Sequence, residues 1–337
     1  MGRVLVTGAG GFVGVNLARG LAERGWSVVA LARRAPDALT SAFLAPVAGE
    51  VLWRLGDVTD SAWLAATIAA AAPEAIVHAA AMTPSPEVER SRTHEVVATN
   101  LSATVDVLEA ARRSDVRRLV YASSTGVYAG AALGRARRED EPLVGRNLYA
   151  HCKLASEGLV RLYAELHHMS ACSLRIGSVY GPMERASGSR TGLSLVARLL
   201  PWAQAGGHLM VHGADVGRDL IHASDVAAAV AALLTANELR HDVYNLASAA
   251  PYPVRDVLDA MAHSAGASWG DAEAAAAELV FTSEHHRDGV DLSRLGADCG
   301  WAPQVGLVAG VAHTLAWNAA VSDDLAAAGA SMAPPLA

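Results

Sequence analysis

Apolar and polar positions alternate in blocks along the first half of the chain. Short apolar runs at residues 3–7, 27–32, 51–55, 75–78, 118–123 and 172–176 read as strands. The stretches between them, 14–24, 61–71, 96–112 and 149–167, repeat with helical period. Val4-Leu5-Val6 and Ala75-Ile76-Val77 are apolar at successive positions, the pattern of strands covered by helices on both faces. Strands separated by helices predict an α/β fold, a doubly wound parallel sheet with right-handed crossovers. After about Gly181 the rhythm breaks. Residues 182–217 and 251–300 are richer in glycine, proline, serine and charge, whereas 219–234 and 243–246 return to a helix-then-strand pattern. The expected division is a first domain of residues 1–182, rejoined by 219–247, and a smaller C-terminal domain built from 183–218 and 248–321. The Ala-, Gly- and Pro-rich stretch 322–337 is expected to fray.

Composition narrows the class. The 337 residues are 52% apolar and 18% charged, with a formal net charge of −7. Such a chain has ample core, and its mild acidity offers no footprint for nucleic acid or an anionic membrane surface. The apolar runs 62–72 and 226–235 fall well short of the ~20 residues of a membrane span. The first strand begins by Arg3, so no signal peptide is expected. Cys152, Cys172 and Cys299 match neither metal-ligand spacing nor a disulfide framework. The expectation is a soluble, cytoplasmic protein without metal, nucleic-acid partner or membrane association.

The first chemical signal is Thr7-Gly8-Ala9-Gly10-Gly11-Phe12-Val13-Gly14, which follows the first strand and opens a helix. Gly8 supplies a tight turn, Gly11 lets the backbone approach a pyrophosphate, and Gly14 permits close helix–sheet packing. The unpaired N–H groups of the helix terminus then face the anion. A glycine cluster alone signals only a tight strand–helix connection. Inside a βαβ unit it predicts a Rossmann dinucleotide site made by Gly8, Gly10, Gly11, Phe12, Val13 and Gly14. Strand two ends in Ala32-Arg33-Arg34, with alanine where an acid would hydrogen-bond the adenosine ribose. Arg33 and Arg34 are candidates to grip the 2′-phosphate of NADP, against the alternative of two solvated arginines. NADP is therefore expected over NAD. Asp57 and Val58, after strand three, sit where a loop would place a carboxylate beside the adenine.

The second signal is Tyr149-Ala150-His151-Cys152-Lys153. Tyr149 and Lys153, at i and i+4, share a helix face, so the ammonium is expected to lower the phenol pKa and make Tyr149 a general base or acid. Alone, that spacing occurs in any helix by chance. Ser123-Ser124-Thr125 ends strand five, at the carboxyl edge where ligands bind in such sheets. Ser124 is placed to hydrogen-bond a substrate oxygen. Ser123 reads as a turn or cap residue.

Together these pieces resemble the extended short-chain dehydrogenase/reductase family, in its NAD-dependent epimerase/dehydratase branch. The resemblance rests on the glycine motif, His78-Ala79-Ala80-Ala81, Ser123-Ser124 through Val127-Tyr128, and Tyr149-x-x-x-Lys153. It continues through Leu174–Pro182, Arg218–Val226, Tyr244-Asn245-Leu246 and Leu295–Pro303, so it covers nearly the whole chain in order. It implies that Ser124, Tyr149 and Lys153 carry redox chemistry, with Lys153 also holding the nicotinamide ribose. It further implies that residues 78–81, with Ala79, Ala80 and Ala81, line the cofactor and that Asn100 supports strand four. In related reductases that use NADP, the phosphate-reading arginine falls at Arg33. Substrate is expected between the core and the C-terminal domain, and dimerisation through two helices matching 96–112 and 149–167.

Departures from the family pattern narrow the function. Sugar-nucleotide dehydratases of this type place Asp-Glu where this chain has Thr125-Gly126, so elimination of water lacks its acid–base pair. Many epimerases have asparagine where Ser178 stands, near the substrate diphosphate, whereas Arg218 matches an arginine that grips it. Residues 181–190, with Arg185, offer a further basic patch that meets an anionic substrate or is an ordinary solvated loop. Thr83, Ser124, Thr125, Ser178, Arg185 and Arg218 are thus the candidate substrate contacts. Three functions follow. The first is an NAD(P)-dependent oxidoreductase interconverting a secondary alcohol and a ketone on a sugar-derived small molecule. The second is a nucleotide-sugar epimerase with retained NAD. The third is a non-catalytic dinucleotide sensor, against which the Ser124, Tyr149 and Lys153 set argues.

Overall fold

The computed structural model describes residues 1–47, 51–129 and 134–321. Strands β1 (Arg3–Thr7), β2 (Ser27–Ala32), β3 (Val51–Leu55), β4 (Ala75–His78), β5 (Arg118–Ser124) and β6 (Ala171–Ile176) alternate with helices. They are followed by β7 (Ser178–Tyr180), β8 (His208–His212), β9 (Gly217–Arg218), β10 (Leu220–His222), β11 (Val243–Leu246), β12 (Tyr252–Pro253), β13 (Ser268–Asp271) and β14 (Leu279–Val280). Among the described residues, seven strands form one parallel sheet in the order β3-β2-β1-β4-β5-β6-β11. This is the doubly wound sheet that the apolar runs predict. The chain steps outward from β1 to β3, then crosses back to β4 on the other side of β1. That reversal leaves a crevice between the carboxyl ends of β1 and β4, where Thr7 and His78 are register partners.

Helices α1 (Phe12–Glu23), α2 (Ala38–Leu44), α3 (Ser61–Ala71), α4 (Pro86–Ser91), α5 (Thr93–Val97), α6 (Ala103–Arg113) and α7 (Leu148–His167) fill the first half. The expected single helix at 96–112 is interrupted: α5 and α6 are joined by a π-helical turn, Ala98–Ser102. Such turns are frequent at functional sites, and this one carries Asn100. Among the described residues, α8 (Leu195–Ala205), α9 (Ala223–Thr235), α10 (Val254–Ala265), α11 (Ser293–Cys299) and α12 (Leu307–Ala320) follow in the second half. Helix α9 packs against α1 so closely that a Cβ on Gly20 would lie 2.5 Å from the Ala227 Cβ. Residues 223–235 therefore belong to the layer of the large sheet, and β11 pairs with β6 at its edge.

A separate apolar cluster gathers Val196, Leu199 and Leu200 of α8, Leu209 and Val211 of β8, Val254, Leu258 and Met261 of α10, and Val311 of α12. Strands β13 and β14 flank β8 in a small parallel sheet beside it. Among the described residues no helix is long and apolar enough to cross a membrane. The stretch 322–337, expected to fray, lies outside the described residues.

Candidate active site

The glycine loop is shaped by close backbone contacts. Gly8 has φ +70°, and a Cβ there would lie 2.6 Å from the Ala80 Cα. A Cβ on Gly14 would lie 2.1 Å from the Gly8 carbonyl oxygen, so α1 sits directly on the loop. Gly11 precedes α1 without a side-chain cap, and the first turn of α1 carries no acidic residue. Its N–H groups are left for an external acceptor, which fits a pyrophosphate. Across the crevice, Thr7 Oγ1 accepts hydrogen bonds from Ala79 N and Ala80 N at 3.1 Å each. The Thr7 hydroxyl therefore donates to His78 Nδ1 at 2.7 Å, which leaves the proton of the ring on Nε2, 3.2 Å from Thr104 Oγ1. Burial, reinforced by Lys153, drives the His78 pKa down to about 3, so the ring is a neutral tie between β1, β4 and α6. His78 thus turns into the core, whereas the resemblance assigned it to the cofactor lining along with Ala79–Ala81.

The other cofactor candidates are arranged around the same crevice. Asn100 holds both the N–H and the carbonyl of Met82 at 2.8 and 2.9 Å, fixing the chain just beyond β4. Val58 packs with Ala80 and Ala103, and the Asp57 carboxylate accepts from Thr59 N and Oγ1. Arg33 and Arg34 are exposed after β2, with no hydrogen bond or ion pair among the described residues. The charge of Arg33 does reach Glu95, helping to hold that carboxylate low, after the stronger effect of Arg92.

Tyr149 and Lys153 lie in the first turns of α7, which Asn147 caps by accepting from Ala150 N at 2.9 Å. Ser124 ends β5, two strands from β1, and its Oγ accepts from Gly126 N at 3.1 Å. The Ser124 side chain acts on the Tyr149 phenol, pulling its pKa down, and Lys153 Nζ lies 5.6 Å from the Tyr149 ring centroid. The ammonium itself donates to the Ala122 carbonyl at 2.7 Å. Burial pulls Lys153 down to about 8, only partly opposed by Glu157. Two expectations are corrected here. The Tyr149 phenol is raised rather than lowered, because burial outweighs the opposing pulls of Ser124 and Arg190. The capping role falls to Ser124, whereas Ser123 stays within β5 and reaches Glu157 at 2.5 Å.

On the substrate side, Thr125 Oγ1 and Ser178 Oγ both donate to buried Asp219, at 2.5 and 2.7 Å. Thr83 pairs with the segment at Ser189–Thr191 through its N–H, donating to Ser189 O at 2.8 Å. Arg185 turns to α2 instead, ion-paired with Asp37 at 2.7 Å and 3.3 Å from Thr40 Oγ1. The patch at 181–190 is therefore neither a uniform anion receptor nor a solvated loop. Arg218 donates to the His285 carbonyl, and its buried Nε has no partner among the described residues. Burial pushes its guanidinium down, and Arg287 and Arg198 act in the same direction against Asp219. The charges of Arg198 and Arg287 thus reach Arg218, opposed by Asp219.

Comparison with known proteins accords with this geometry. A sequence model of the NAD dependent epimerase/dehydratase family matches residues 4–247. The chain belongs to that family. The dTDP-glucose 4,6-dehydratase of Streptomyces griseus is 30% identical over 327 residues, covering 93% of each chain. The UDP-glucose 4-epimerase of Mycolicibacterium smegmatis is 29% identical over 317 residues, covering 93% of this chain and 97% of that protein. The structure of the Thermus thermophilus UDP-glucose 4-epimerase in complex with NAD superposes with a TM-score of 0.76 at 27% identity, covering 94% of this chain and 98% of that one.

In this family member, sequence reading missed Asp219, Arg198 and Arg287 as neighbours of the site, and held Arg190 only as the end of the 181–190 patch. Arg287 sits in a basic run, His285-His286-Arg287, which is a faint signal on its own. Asp219 was in view beside Arg218, but nothing in the order of residues says that it meets Thr125. His151 is exposed, on the other side of α7 from buried Lys153.

Proposed function

We propose that this family member interconverts a secondary alcohol and a ketone on a sugar-derived substrate, using NAD(P). The observation that carries the reading is the convergence of Tyr149, Ser124 and buried Lys153 at the carboxyl end of β5, beside the glycine loop. A nicotinamide held by Gly8–Gly14 supplies the hydride acceptor or donor. Tyr149 takes the proton from the alcohol oxygen during oxidation and returns it in reduction. Ser124 hydrogen-bonds that oxygen and Lys153 supplies positive charge beneath the Tyr149 ring. Thr125 and Gly126 contain no carboxyl group, so no elimination of water is assigned to this site.

The substrate is proposed to lie between the sheet domain (1–182 with 219–247) and the segments 183–218 and 248–321. NADP is proposed over NAD on the exposed Arg33 and Arg34. A cytoplasmic homodimer is proposed with it, supported by Leu162 and Leu166 of α7, which are 45% and 62% exposed. The second reading, an epimerase with retained NAD, is favoured by the Arg198, Arg218 and Arg287 group, which suits a diphosphate. One experiment separates them. The cofactor content of the purified protein is measured by absorbance and extraction, and a panel of nucleotide sugars is then assayed with and without added NADP. The oxidoreductase reading expects a largely cofactor-free protein that needs added cofactor for each turnover. Stoichiometric retained cofactor with epimerisation and no net reduction establishes the epimerase instead.

A further inference from the structure

The segment between β7 and α8 lies across the mouth of the crevice and is tied to its walls. Asn16 of α1 donates to the Pro182 carbonyl at 2.9 Å. Arg185 is ion-paired at 2.7 Å with Asp37, the residue that caps α2. Just beyond β4, Thr83 N donates to the Ser189 carbonyl at 2.8 Å, and Thr83 is bridged to Arg190. These ties set Arg190 over the start of α1, its guanidinium carbon 5.2 Å from the centre of the Phe12 ring. Phe12 is the first residue of α1, next to the uncapped Gly11. On its other side the guanidinium is anchored by Glu184, whose side chain is only 2% exposed. Glu184 Oε1 accepts from Arg190 Nη2 at 2.6 Å and from Ser194 N at 2.8 Å, while Oε2 accepts from Ser194 Oγ at 2.6 Å. A cation held by a buried carboxylate on one side and an aromatic face on the other has little freedom to move.

We infer that Arg190 is a ligand of the cofactor pyrophosphate, a side-chain cation added to the backbone N–H groups of the glycine loop. The inference rests on the reading of Gly8–Gly14 as the dinucleotide site. Residues 7–16 contain no charged side chain, so the loop and α1 bring only N–H groups and a partial dipole charge to an anion that is charged on each phosphate. Arg190 is the full positive charge that the fold sets against that helix terminus, on the cofactor side of the crevice and away from Arg218, which bonds to His285. It also has donors to spare. Its Nε is buried without a partner, and its Nη1 makes no hydrogen bond among the described residues. Leaving a guanidinium N–H buried and unpaired is costly, and a phosphate oxygen is the acceptor whose geometry suits it. Glu184 does not use up the cation, because its two oxygens are shared among three donors and it takes one nitrogen of the guanidinium. The side chain stays 23% exposed, which leaves it open to a ligand.

The test needs no known substrate. Calorimetry is run with NAD, NADP and ADP-ribose, the last having the pyrophosphate but no nicotinamide. Arg190→Gln is expected to weaken all three by about tenfold or more, and to leave the ratio of NADP to NAD affinity unchanged, since that ratio reads the 2′-phosphate. Arg190→Lys, which keeps the charge, is expected to lose less. UDP, a diphosphate probe of the substrate side, is expected to bind the parent and Arg190→Gln alike. In the unmodified protein, ADP-ribose is expected to protect Arg190 from phenylglyoxal, read by peptide mass, and this arm does not depend on a variant folding. Undiminished affinity for NAD and ADP-ribose in Arg190→Gln overturns the inference, as does modification of Arg190 at the same rate with and without ADP-ribose. An equal loss in Arg190→Lys makes the effect one of packing and overturns it too. A loss of UDP affinity with NAD affinity intact gives Arg190 to the substrate instead. A parent that binds none of the three removes the dinucleotide reading itself, whereas a parent and Arg190→Gln that bind them equally remove only the role of Arg190.

Discussion

Two buried cations flank the end of β5, and the fold treats them oppositely. Arg175, on β6, donates to both oxygens of Glu157, at 3.0 and 2.7 Å, and to Tyr128 Oη and the Glu139 carbonyl. Glu157 also receives Ser123, and Tyr128 Oη reaches Asn245 Oδ1 at 2.8 Å. Burial acts against the Arg175 charge, yet Glu157 and Tyr128 more than offset it, so its pKa is raised. Lys153 is 2% exposed, but has one carbonyl and two ring faces for company, and its pKa falls to about 8. Both cations draw on the same carboxylate, and Arg175 holds it bidentately. The contrast separates a charge satisfied for stability from a charge kept poorly satisfied where chemistry is proposed.

The largest effect expected is on turnover. Tyr149→Phe keeps the ring and removes the proton acceptor, so kcat should fall by about thousandfold while cofactor affinity hardly changes. Near-normal activity in that variant would take Tyr149 out of the reaction.

The contrast itself is sharpened by removing each cation. Arg175→Met strands Glu157 in the interior and should cost about 3–5 kcal/mol in denaturant unfolding. Lys153→Met removes a penalised charge and should leave stability within about 1 kcal/mol of the parent, or above it, while abolishing activity. Equal destabilisation by both would erase the distinction.

Arg33 and Arg34 belong to a third kind, exposed and without ion-pair partners among the described residues. Replacing both with alanine should weaken NADP binding by about 1.5–3 kcal/mol, tenfold or more in Kd, and NAD binding far less. Equal affinity of the parent for the two cofactors, by calorimetry, would refute the preference.

The smallest effect is a slope of stability with pH. The folded pKa of Lys153, about 8, lies below the value of 10.5 for a free lysine. Below pH 8 both states hold the proton and the folded chain bears the full burial penalty. Between about 8 and 10.5 the unfolded chain binds more protons, so the parent should gain stability relative to Lys153→Met as pH rises. Arg175 stays charged over that range and adds no such slope. Unfolding curves at pH 7.5 and 9.5 that show no relative gain would contradict the assignment.

Much of the site was legible because its parts are local. The Gly8–Gly14 motif, the Ser124 position and the Tyr149–Lys153 spacing each lie within one turn, helix or strand end. The orientation of Lys153 was not legible, since spacing puts it on the face of Tyr149 but says nothing of the Ala122 carbonyl that accepts its hydrogen bond. The π-helical turn at Ala98–Ser102 escaped for a related reason: a helical repeat does not register one widened turn, and the bonds of Asn100 to Met82 span 18 residues.

Order and period along the chain were enough for the parallel sheet, its crevice and the family, because hydrophobic period and glycine placement act between near neighbours. Folding alone joined what lies far apart. Asp219 meets Thr125 across 94 residues and Ser178 across 41, and it does so because β10 pairs with β7 at the end of the large sheet. Arg190 meets Phe12 across the crevice because the chain around it is bridged to Thr83 and its guanidinium is held by Glu184. Hydrogen bonds and charges act over a few ångströms of space, whatever the length of chain between their owners, so partners of this kind exist only once the strands have closed around them.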